Sequence, residues 1–263
     1  MKRTKNLLAI LVIFSVLIPA VTAQSVQSLK GMSLNGSTGL ISIPTGRIGW
    51  EKSADVGVDL GYHGIFDQSD VAHIGAASVS LFKWFEVSLA YDNQIGDKNG
   101  DTLIGGKLQL PTTGTAVAIG GNLQLLQQGG TSSNATQIYL SATYPATFFN
   151  MPADTTVVVG KTFVKDSNDS NIDFGMGFDM VLFPKVFQNY IHWLTDFANF
   201  SYSTQAVGAN ASQRGSLNTG IRIDIASYPA LSKYKFVVDA MLTDALDTNR
   251  AFTLGFSAGM PIK

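Results

Sequence analysis

Three histidines are the only imidazole groups in this 263-residue chain. His63 and His73 flank a short acidic segment that contains Asp67 and Asp70. Imidazole and carboxylate groups held together can exchange protons or bind a metal ion. The alternative is that these are polar residues at the rim of a hairpin, and we favour it. The third histidine, His192, precedes Trp193 in an aromatic stretch, where an interfacial position is the better interpretation.

Other patterns of reactive residues are weak. Residues 166–171 (DSNDSN) have the oxygen density of a calcium loop but lack the glycine and terminal glutamate of an EF-hand, so a solvated loop is favoured. The paired glycines at 105–106 and 120–121 occur in strand-like sequence rather than in phosphate-binding loops. We find no P-loop, dinucleotide fingerprint, serine elbow or zinc spacing. The sequence therefore predicts no enzyme, no catalytic residue, no metal site and no cofactor.

The elements that carry these residues show a different pattern. In the segment 171–180 (NIDFGMGFDM) every even position is large and apolar, and every odd position is Gly, Asn or Asp. Side chains alternate between the two faces of a β-strand, so this segment has one apolar and one polar face. The pattern recurs along the chain. Strands of this kind are typical of a barrel that spans a bilayer, with the apolar face toward lipid and the polar face toward the lumen.

The N-terminus predicts export. Residues 1–23 have a basic start (Lys2, Arg3, Lys5), a short apolar core and small residues before Gln24, as a signal peptide does. A membrane anchor is the alternative, but the apolar run is too short. The predicted signal carries three of the 18 basic residues and none of the 19 acidic ones, which leaves a formal charge of −4. Nothing here predicts a nucleic-acid partner.

Composition also indicates a membrane. Charged residues make up 14% of the chain, against about 25% in soluble domains. There is no cysteine, hence neither a disulfide framework nor a cysteine lipid anchor. Beyond residue 23 no apolar run approaches the ~20 residues of a membrane helix. A helical membrane protein is therefore not expected.

The chain predicts an all-β fold, a transmembrane antiparallel up-and-down β-barrel of about twelve strands over residues 53–263. The predicted strands are 53–65, 71–82, 84–92, 102–110, 115–127, 135–144, 154–164, 171–182, 191–203, 214–225, 233–243 and 250–262. Polar connections alternate with proline- and aromatic-rich ones, and we assign the polar set to the outside of the cell. Strands 71–82 and 191–203 alternate poorly, which a bulge or a wrong register would explain.

Position parity predicts the two faces. Residues expected to face lipid are Leu60, Val87, Leu108, Ile119, Leu140, Phe174, Phe178, Ile221, Phe236, Val238, Leu254 and Phe256. Charged residues expected to line the lumen are Asp55, Asp59, Glu86, Lys107, Lys161, Asp173, Asp179, Arg222, Asp224 and Asp239. A soluble β-sandwich with one solvated face is the rival. The aromatic residues near strand ends favour the barrel, because such rings prefer membrane interfaces.

Residues 24–52 precede the first clear strand and contain the run GSTGLISIPTGR at 36–47. This run resembles the Gly-Leu-Ile-x-x-Pro-(Thr/Ser)-Ala-Arg opening of YjbH-like bacterial outer-membrane β-barrel proteins, a group linked to exopolysaccharide export. Gly46 stands where that opening usually has alanine. The segment could be a lumen plug or hairpin, an extra strand pair or a periplasmic tail, and we favour the plug. Arg47 could then meet Asp55 or Asp59, or could be an ordinary solvated arginine.

These patterns predict a protein of the bacterial outer membrane. A narrow channel or transport barrel for small solutes or ions is the leading interpretation. The alternative is a non-conducting structural or surface-interaction barrel, with a link to exopolysaccharide export. An outer-membrane enzyme comes third. Expected partners are outer-membrane lipid, the barrel-assembly machinery and periplasmic chaperones, while the solute and the oligomeric state stay open.

Overall fold

A computed structural model describes residues 31–51, 54–67, 71–95, 99–128, 131–164, 172–199, 215–227, 231, 233–247 and 250–262. The predicted signal peptide (1–23) and the loop at 166–171 lie outside these residues. Within the described ranges, no helix is long and apolar enough to cross a membrane.

Twelve strands form one closed antiparallel barrel in which each strand pairs with its neighbours in sequence and β1 pairs with β12. The predicted fold class is therefore confirmed. The strands are β1 Val56–Phe66, β2 Val71–Leu81, β3 Phe85–Gln94, β4 Asn99–Leu110, β5 Ala116–Gln128, β6 Thr131–Phe148, β7 Met151–Val164, β8 Asp173–Val181, β9 Ile191–Ala198, β10 Ser216–Asp224, β11 Lys235–Thr243 and β12 Ala251–Pro261. A single-turn helix, α1 (Pro184–Phe187), lies between β8 and β9.

Tight turns fix the strand pairs at one end of the barrel, which we predict to face the periplasm. Phe149 and Asn150 join β6 to β7, and both have positive φ, 52° and 62°. Two such residues form the turn whose twist suits a two-residue hairpin. Strand β6 continues through Pro145, because Pro145 lies beyond its ladder with β5, which ends at the pair Ala116↔Thr143. Its missing N–H therefore breaks no bond to β5.

The outer surface is apolar. All twelve residues predicted to face lipid are exposed or partly exposed. Large side chains pack beside one another there, as Phe178 does edge-on against Trp193, with ring centroids 5.4 Å apart. This apolar surface meets hydrocarbon without leaving strand backbone groups unpaired, because the barrel is closed.

Over their described residues, the two poorly alternating strands contain no bulge. The ladder from Val56↔Leu81 to Phe66↔Val71 is unbroken, and so is the pairing of β9 with β10. The bulge, one of the two explanations considered, is therefore wrong for these residues, and the reason is physical. Ala72 and Ile74 of β2 and Leu194 of β9 point inward and are fully buried, so apolar residues occur on both faces of these strands.

The lumen is occupied by residues 31–51, here called the inner segment, every one of which is buried. The inner segment folds back on itself through isolated bridges, Met32 with Thr38 and Gly39 with Pro44. The backbone N–H of Leu34 donates to the carbonyl of Ile41 at 2.9 Å. Its apolar side chains pack against inward residues of the wall, including Ile74, Val158, Leu194 and Met241.

Candidate functional site: the charged lumen wall and the inner segment

The charged residues predicted to line the lumen do not all lie on the inner wall. The structure places seven of them there in buried positions: Asp59, Glu86, Lys107, Asp179, Arg222, Asp224 and Asp239. Asp173 also faces inward but is only partly buried. Its Oδ2 atom accepts hydrogen bonds from Gln137 Nε2 at 3.2 Å and from the Thr162 hydroxyl.

Two of the predicted lumen residues lie elsewhere. Asp55 precedes β1 at the barrel rim, where its exposed carboxylate is 3.3 Å from Nζ of Lys83 in the β2–β3 turn. Lys161 shares the parity of Val159 and Phe163, both exposed on the outer face, while Thr162 points inward toward Asp173. The lumen prediction is therefore wrong for Asp55 and Lys161. Three consecutive valines, 157–159, hide the parity of β7 from the sequence.

Glu86 anchors one side of the inner segment. Its Oε1 accepts the Thr38 N–H at 2.9 Å, and its Oε2 accepts the Thr38 hydroxyl at 2.6 Å and the Gly49 N–H at 3.0 Å. Lys107, directly opposite Glu86 on β4, lies 3.3 Å from the carboxylate and donates to the Thr38 carbonyl at 2.9 Å. Charge-assisted bonds of this kind are roughly twice as strong as neutral ones.

Asp196 anchors the segment from β9. Its Oδ2 accepts the backbone N–H groups of Ile41 at 2.9 Å and Ser42 at 2.7 Å. Its Oδ1 accepts the Ser42 hydroxyl at 3.0 Å and Asn218 Nδ2 at 2.7 Å. The carboxylate is fully buried, so four donors replace its hydration shell. Asp196 is not among the predicted lumen residues, because the alternation of its strand is obscured in the sequence.

A third anchor is Arg222 on β10. Its Nε and Nη2 atoms pair with the two carboxylate oxygens of Asp239 at 2.8 and 3.1 Å. Its Nη1 donates to the Gly39 carbonyl at 3.2 Å, and Nη2 to the Met32 carbonyl at 3.4 Å. The planar guanidinium thus bridges wall and inner segment, an arrangement for which its fixed donors are suited.

A fourth set of contacts surrounds Asp59 on β1. Its Oδ2 accepts hydrogen bonds from Trp50 Nε1 at 2.9 Å and from Lys235 Nζ at 3.1 Å. The same ammonium lies 4.5 Å from the centre of the Trp50 ring, within the range of a cation–π contact. The end of the inner segment is thereby fixed to β1 and β11.

Arg47 of the inner segment is buried and pairs with neither residue proposed for it. Its Nη1 is 2.8 Å from Glu51 Oε1, and its Nε is 3.5 Å from Asp154 Oδ2 on β7. Both expectations, a bond to Asp55 or Asp59 and a solvated arginine, are wrong. The neighbouring Gly46 packs against backbone: a Cβ there would lie 2.2 Å from the Ala116 carbonyl oxygen. A side chain at position 46 would therefore need the wall or the inner segment to shift.

The histidines do not form a cluster. In the β1–β2 ladder, His63 lies opposite Ile74 and His73 opposite Gly64, so the two rings occupy opposite faces of the wall. His63 is fully buried inside, whereas His73 contacts the hydroxyl of Tyr62 on the outer face. His192 is not interfacial, since its buried ring bonds Asp179 at 2.6 Å. Among the described residues, no group of three or more His, Cys, Asp or Glu could hold a metal ion.

The inner wall is strongly acidic. Among the described strand residues that point inward, ten are acidic and three basic, a formal charge of −7 with histidines neutral. The acids are Asp59, Glu86, Asp92, Asp101, Asp154, Asp173, Asp179, Asp196, Asp224 and Asp239, and the bases are Lys107, Arg222 and Lys235. Asp92 and Asp101 share the parity of Glu86 and Lys107, so extending the alternation along β3 and β4 would have found them.

No protein-family model matches the chain, and no curated protein matches it. Solved structures do. A structure of KdgM porin has a TM-score of 0.51 at 8% identity, covering 76% of this chain and 97% of that one. A KdgM porin in complex with disordered oligogalacturonate has a TM-score of 0.50 at 8% identity, covering 78% and 99%. The outer membrane protein Omp33 of Acinetobacter baumannii has a TM-score of 0.46 at 10% identity, covering 80% and 100%.

The chain thus has the fold of bacterial outer-membrane β-barrels. Its closed ladder and apolar outer surface belong in lipid, and the protein resides in the bacterial outer membrane. The prediction of location is confirmed. The resemblance to YjbH-like proteins and the division into signal peptide, N-terminal segment and barrel stay predictions.

Proposed function

We propose that this outer-membrane barrel is a narrow channel for small solutes or ions, held in a low-conductance state by the inner segment. The observation that carries the proposal is the inner wall of formal charge −7 around a segment of mostly small and polar residues. Burying ionised groups is unfavourable unless each is paired. A barrel that needs only a solid interior could use apolar side chains, whereas a charged wall suits contact with water.

Complete expulsion of the inner segment would be expensive. Leu34, Leu40, Ile41, Ile43 and Ile48 are each no more than 1% exposed. Full burial of one such side chain contributes roughly 1.5–3 kcal/mol. The segment therefore remains in the barrel at rest, and any conducting path passes beside it. Single-channel currents should accordingly be small.

The wall charge suggests which solutes pass. An acidic, poorly screened lumen favours cations and neutral solutes over anions. One structural neighbour is a porin complexed with oligogalacturonate, a polyanion. We do not expect that class of ligand for this chain, because the inner wall would repel it.

A second candidate is a non-conducting structural or surface-interaction barrel, including a link to exopolysaccharide export. The complete burial of residues 31–50 favours it, since a permanently filled lumen has no path. For either function, we expect the barrel-assembly machinery and periplasmic chaperones to be the partners during insertion. Neither function requires a catalytic group.

Planar-bilayer recording of refolded protein separates the two candidates. We expect small conductance with a mild cation preference from the chain beginning at residue 24, and larger conductance after deletion of residues 24–50. Circular dichroism and the heat-dependent gel mobility of the same samples serve as folding controls. A silent bilayer from folded protein, both with and without residues 24–50, rejects the channel and favours the structural barrel.

A further inference from the structure

The inner segment is bonded unevenly to the wall. Its hydrogen bonds to described wall residues go to β1, β3, β4, β6, β9 and β10. Arg47 adds an ion pair with β7. Among the described residues, no hydrogen bond joins the segment to β2 or β12. Among the described residues no such bond joins it to β5, β8 or β11 either, so most of its bonds go to strands between β3 and β10. The stretch β11–β12–β1–β2, here called the weakly bonded side, holds the segment by one described hydrogen bond, from Trp50 Nε1 to Asp59 Oδ2.

The weakly bonded side carries buried polar atoms that have no hydrogen-bond partner among the described residues. Four are hydroxyls on the inner faces of β2 and β12, and they belong to Ser78, Ser80, Thr253 and Ser257. On β1, between these strands, the same is true of Asp59 Oδ1 and His63 Nδ1. All six side chains are at most about 5% exposed. Buried polar groups are normally bonded, so a cluster of exceptions needs an explanation.

The ladders align these atoms along the barrel. From the predicted periplasmic end, Ser80 lies opposite Gly57, and Ser78 lies opposite Asp59. Ser257 then lies opposite Gly61, and Thr253 opposite Ile65, near the other end of β1. Inward positions on one strand repeat about every 6.6–6.8 Å. We name these four hydroxyls with Asp59 and His63 the β1 polar row.

Charged groups beside the β1 polar row are held by other bonds. Lys235 donates to Asp59 Oδ2 and lies over the Trp50 ring. The other carboxylate oxygen, Asp59 Oδ1, has no hydrogen-bond partner among the described residues. Asp239 faces His63 with 3.7 Å between Oδ2 and Nε2, but it is paired with Arg222. The row therefore presents mostly oxygen atoms. Oxygen atoms can coordinate small cations and can accept hydrogen bonds from water.

We propose that water and small cations pass along the β1 polar row, between the inner segment and the wall formed by β12, β1 and β2. The inference rests on the proposed channel function and names its path and permeant class. Passage needs the Trp50 and Met32 side chains, which pack against Gly57 and Gly61 of β1, to shift from this wall and the Trp50–Asp59 hydrogen bond to open. The bonds of the segment to β3, β4, β6, β9 and β10 can remain. Water bridging successive members would satisfy each unpaired hydroxyl.

Cysteine accessibility tests this path. The chain has no cysteine, so Ser78→Cys and Ser257→Cys each introduce one thiol without background. Ser141→Cys is the matched control, because Ser141 is equally buried on the inner wall but lies on β6, away from the β1 polar row, and donates to the Thr45 carbonyl. Each refolded variant is treated with methanethiosulfonate ethyltrimethylammonium, which carries a fixed positive charge, and with the similarly sized anionic ethylsulfonate.

We expect the cationic reagent to modify Ser78→Cys and Ser257→Cys at least about tenfold faster than Ser141→Cys, and faster than the anionic reagent does. Modification at 78 or 257 should reduce the bilayer conductance by more than half. Equal rates at all three positions, or faster modification and block at 141, would overturn the path. If 78 and 257 react selectively but folded protein never conducts, the channel function fails while cation access along the row stands.

Discussion

Asp196 holds Ser42 through both of its carboxylate oxygens, with Oδ2 accepting the backbone N–H at 2.7 Å and Oδ1 accepting the hydroxyl at 3.0 Å. The two residues are 154 positions apart in the sequence. This contact joins β9 to the turn of the inner segment. A substitution of Asp196 should therefore alter the position of the segment.

Asp196→Ala should loosen the inner segment. The change leaves the N–H groups of Ile41 and Ser42 without their acceptor, and hydrogen bonds to a charged group contribute about 1.5–3 kcal/mol each. We expect a larger bilayer conductance and a lower urea midpoint of unfolding. Asp173→Ala is the control, because Asp173 also faces inward but bonds Gln137 and Thr162. Equal conductance from the two variants would contradict the role of Asp196.

Glu86→Ala should be more harmful alone than together with Lys107→Ala. Removing the carboxylate leaves the buried ammonium of Lys107 unpaired, and breaking such a pair costs about 3–5 kcal/mol. In the double variant no unpaired charge remains. Urea unfolding of the wild type, both single variants and the double variant measures the coupling free energy. Additive effects of the two single changes would show that the pair is not coupled.

Gly46→Ala should displace the inner segment locally. The added Cβ would lie 2.2 Å from the Ala116 carbonyl oxygen and 3.0 Å from the Thr143 nitrogen. Both atoms belong to paired backbone, which cannot swing away. We expect a destabilisation of about 1–3 kcal/mol, the usual range for overpacking, measured by urea unfolding. Gly106→Ala is the control, since a Cβ there meets nothing within 4 Å. Equal stability of the two variants would refute the packing described for Gly46.

Arginine on the outer face should destabilise the barrel according to depth. Phe256 lies halfway along β12, whereas Phe252 pairs with Phe66 near the end of β1. Arginine costs about 2–4 kcal/mol at the bilayer midplane and about 0–1 kcal/mol near the interface. We expect Phe256→Arg to reduce stability in lipid vesicles by the larger amount and Phe252→Arg by the smaller. The reverse order would place the membrane differently.

The pair of changes Asp92→Asn and Asp101→Asn should weaken cation preference. These residues lie directly opposite each other on β3 and β4, and both are buried on the inner wall. Their removal takes two negative charges from a poorly screened space. Reversal potentials across a salt gradient measure the change. Asp55→Asn is the control because Asp55 is exposed at the rim beside Lys83, and it should alter selectivity little.

The sequence determined the faces of the wall, because strand side chains alternate with a period of two. Where the alternation is regular, as in β8, it assigned Phe174 to the outer face and Asp179 to the inner one correctly. Where the alternation is irregular, the sequence did not assign the faces of the strand correctly. The valine run of β7 obscures the parity of that strand, so the predicted inward position of Lys161 is wrong, and the apolar inward residues of β2 mimicked a bulge.

Only the tertiary structure decided which wall residues meet the inner segment. Thr38 and Glu86 are 48 positions apart, and Ile41 and Asp196 are 155 apart. No local pattern relates such residues, because their contact depends on barrel closure and on the register of all intervening strands. Barrel closure also brought Asp154 of β7 beside Arg47. The period of a strand is a local property, whereas the partners of a buried charge follow from the geometry of the whole barrel.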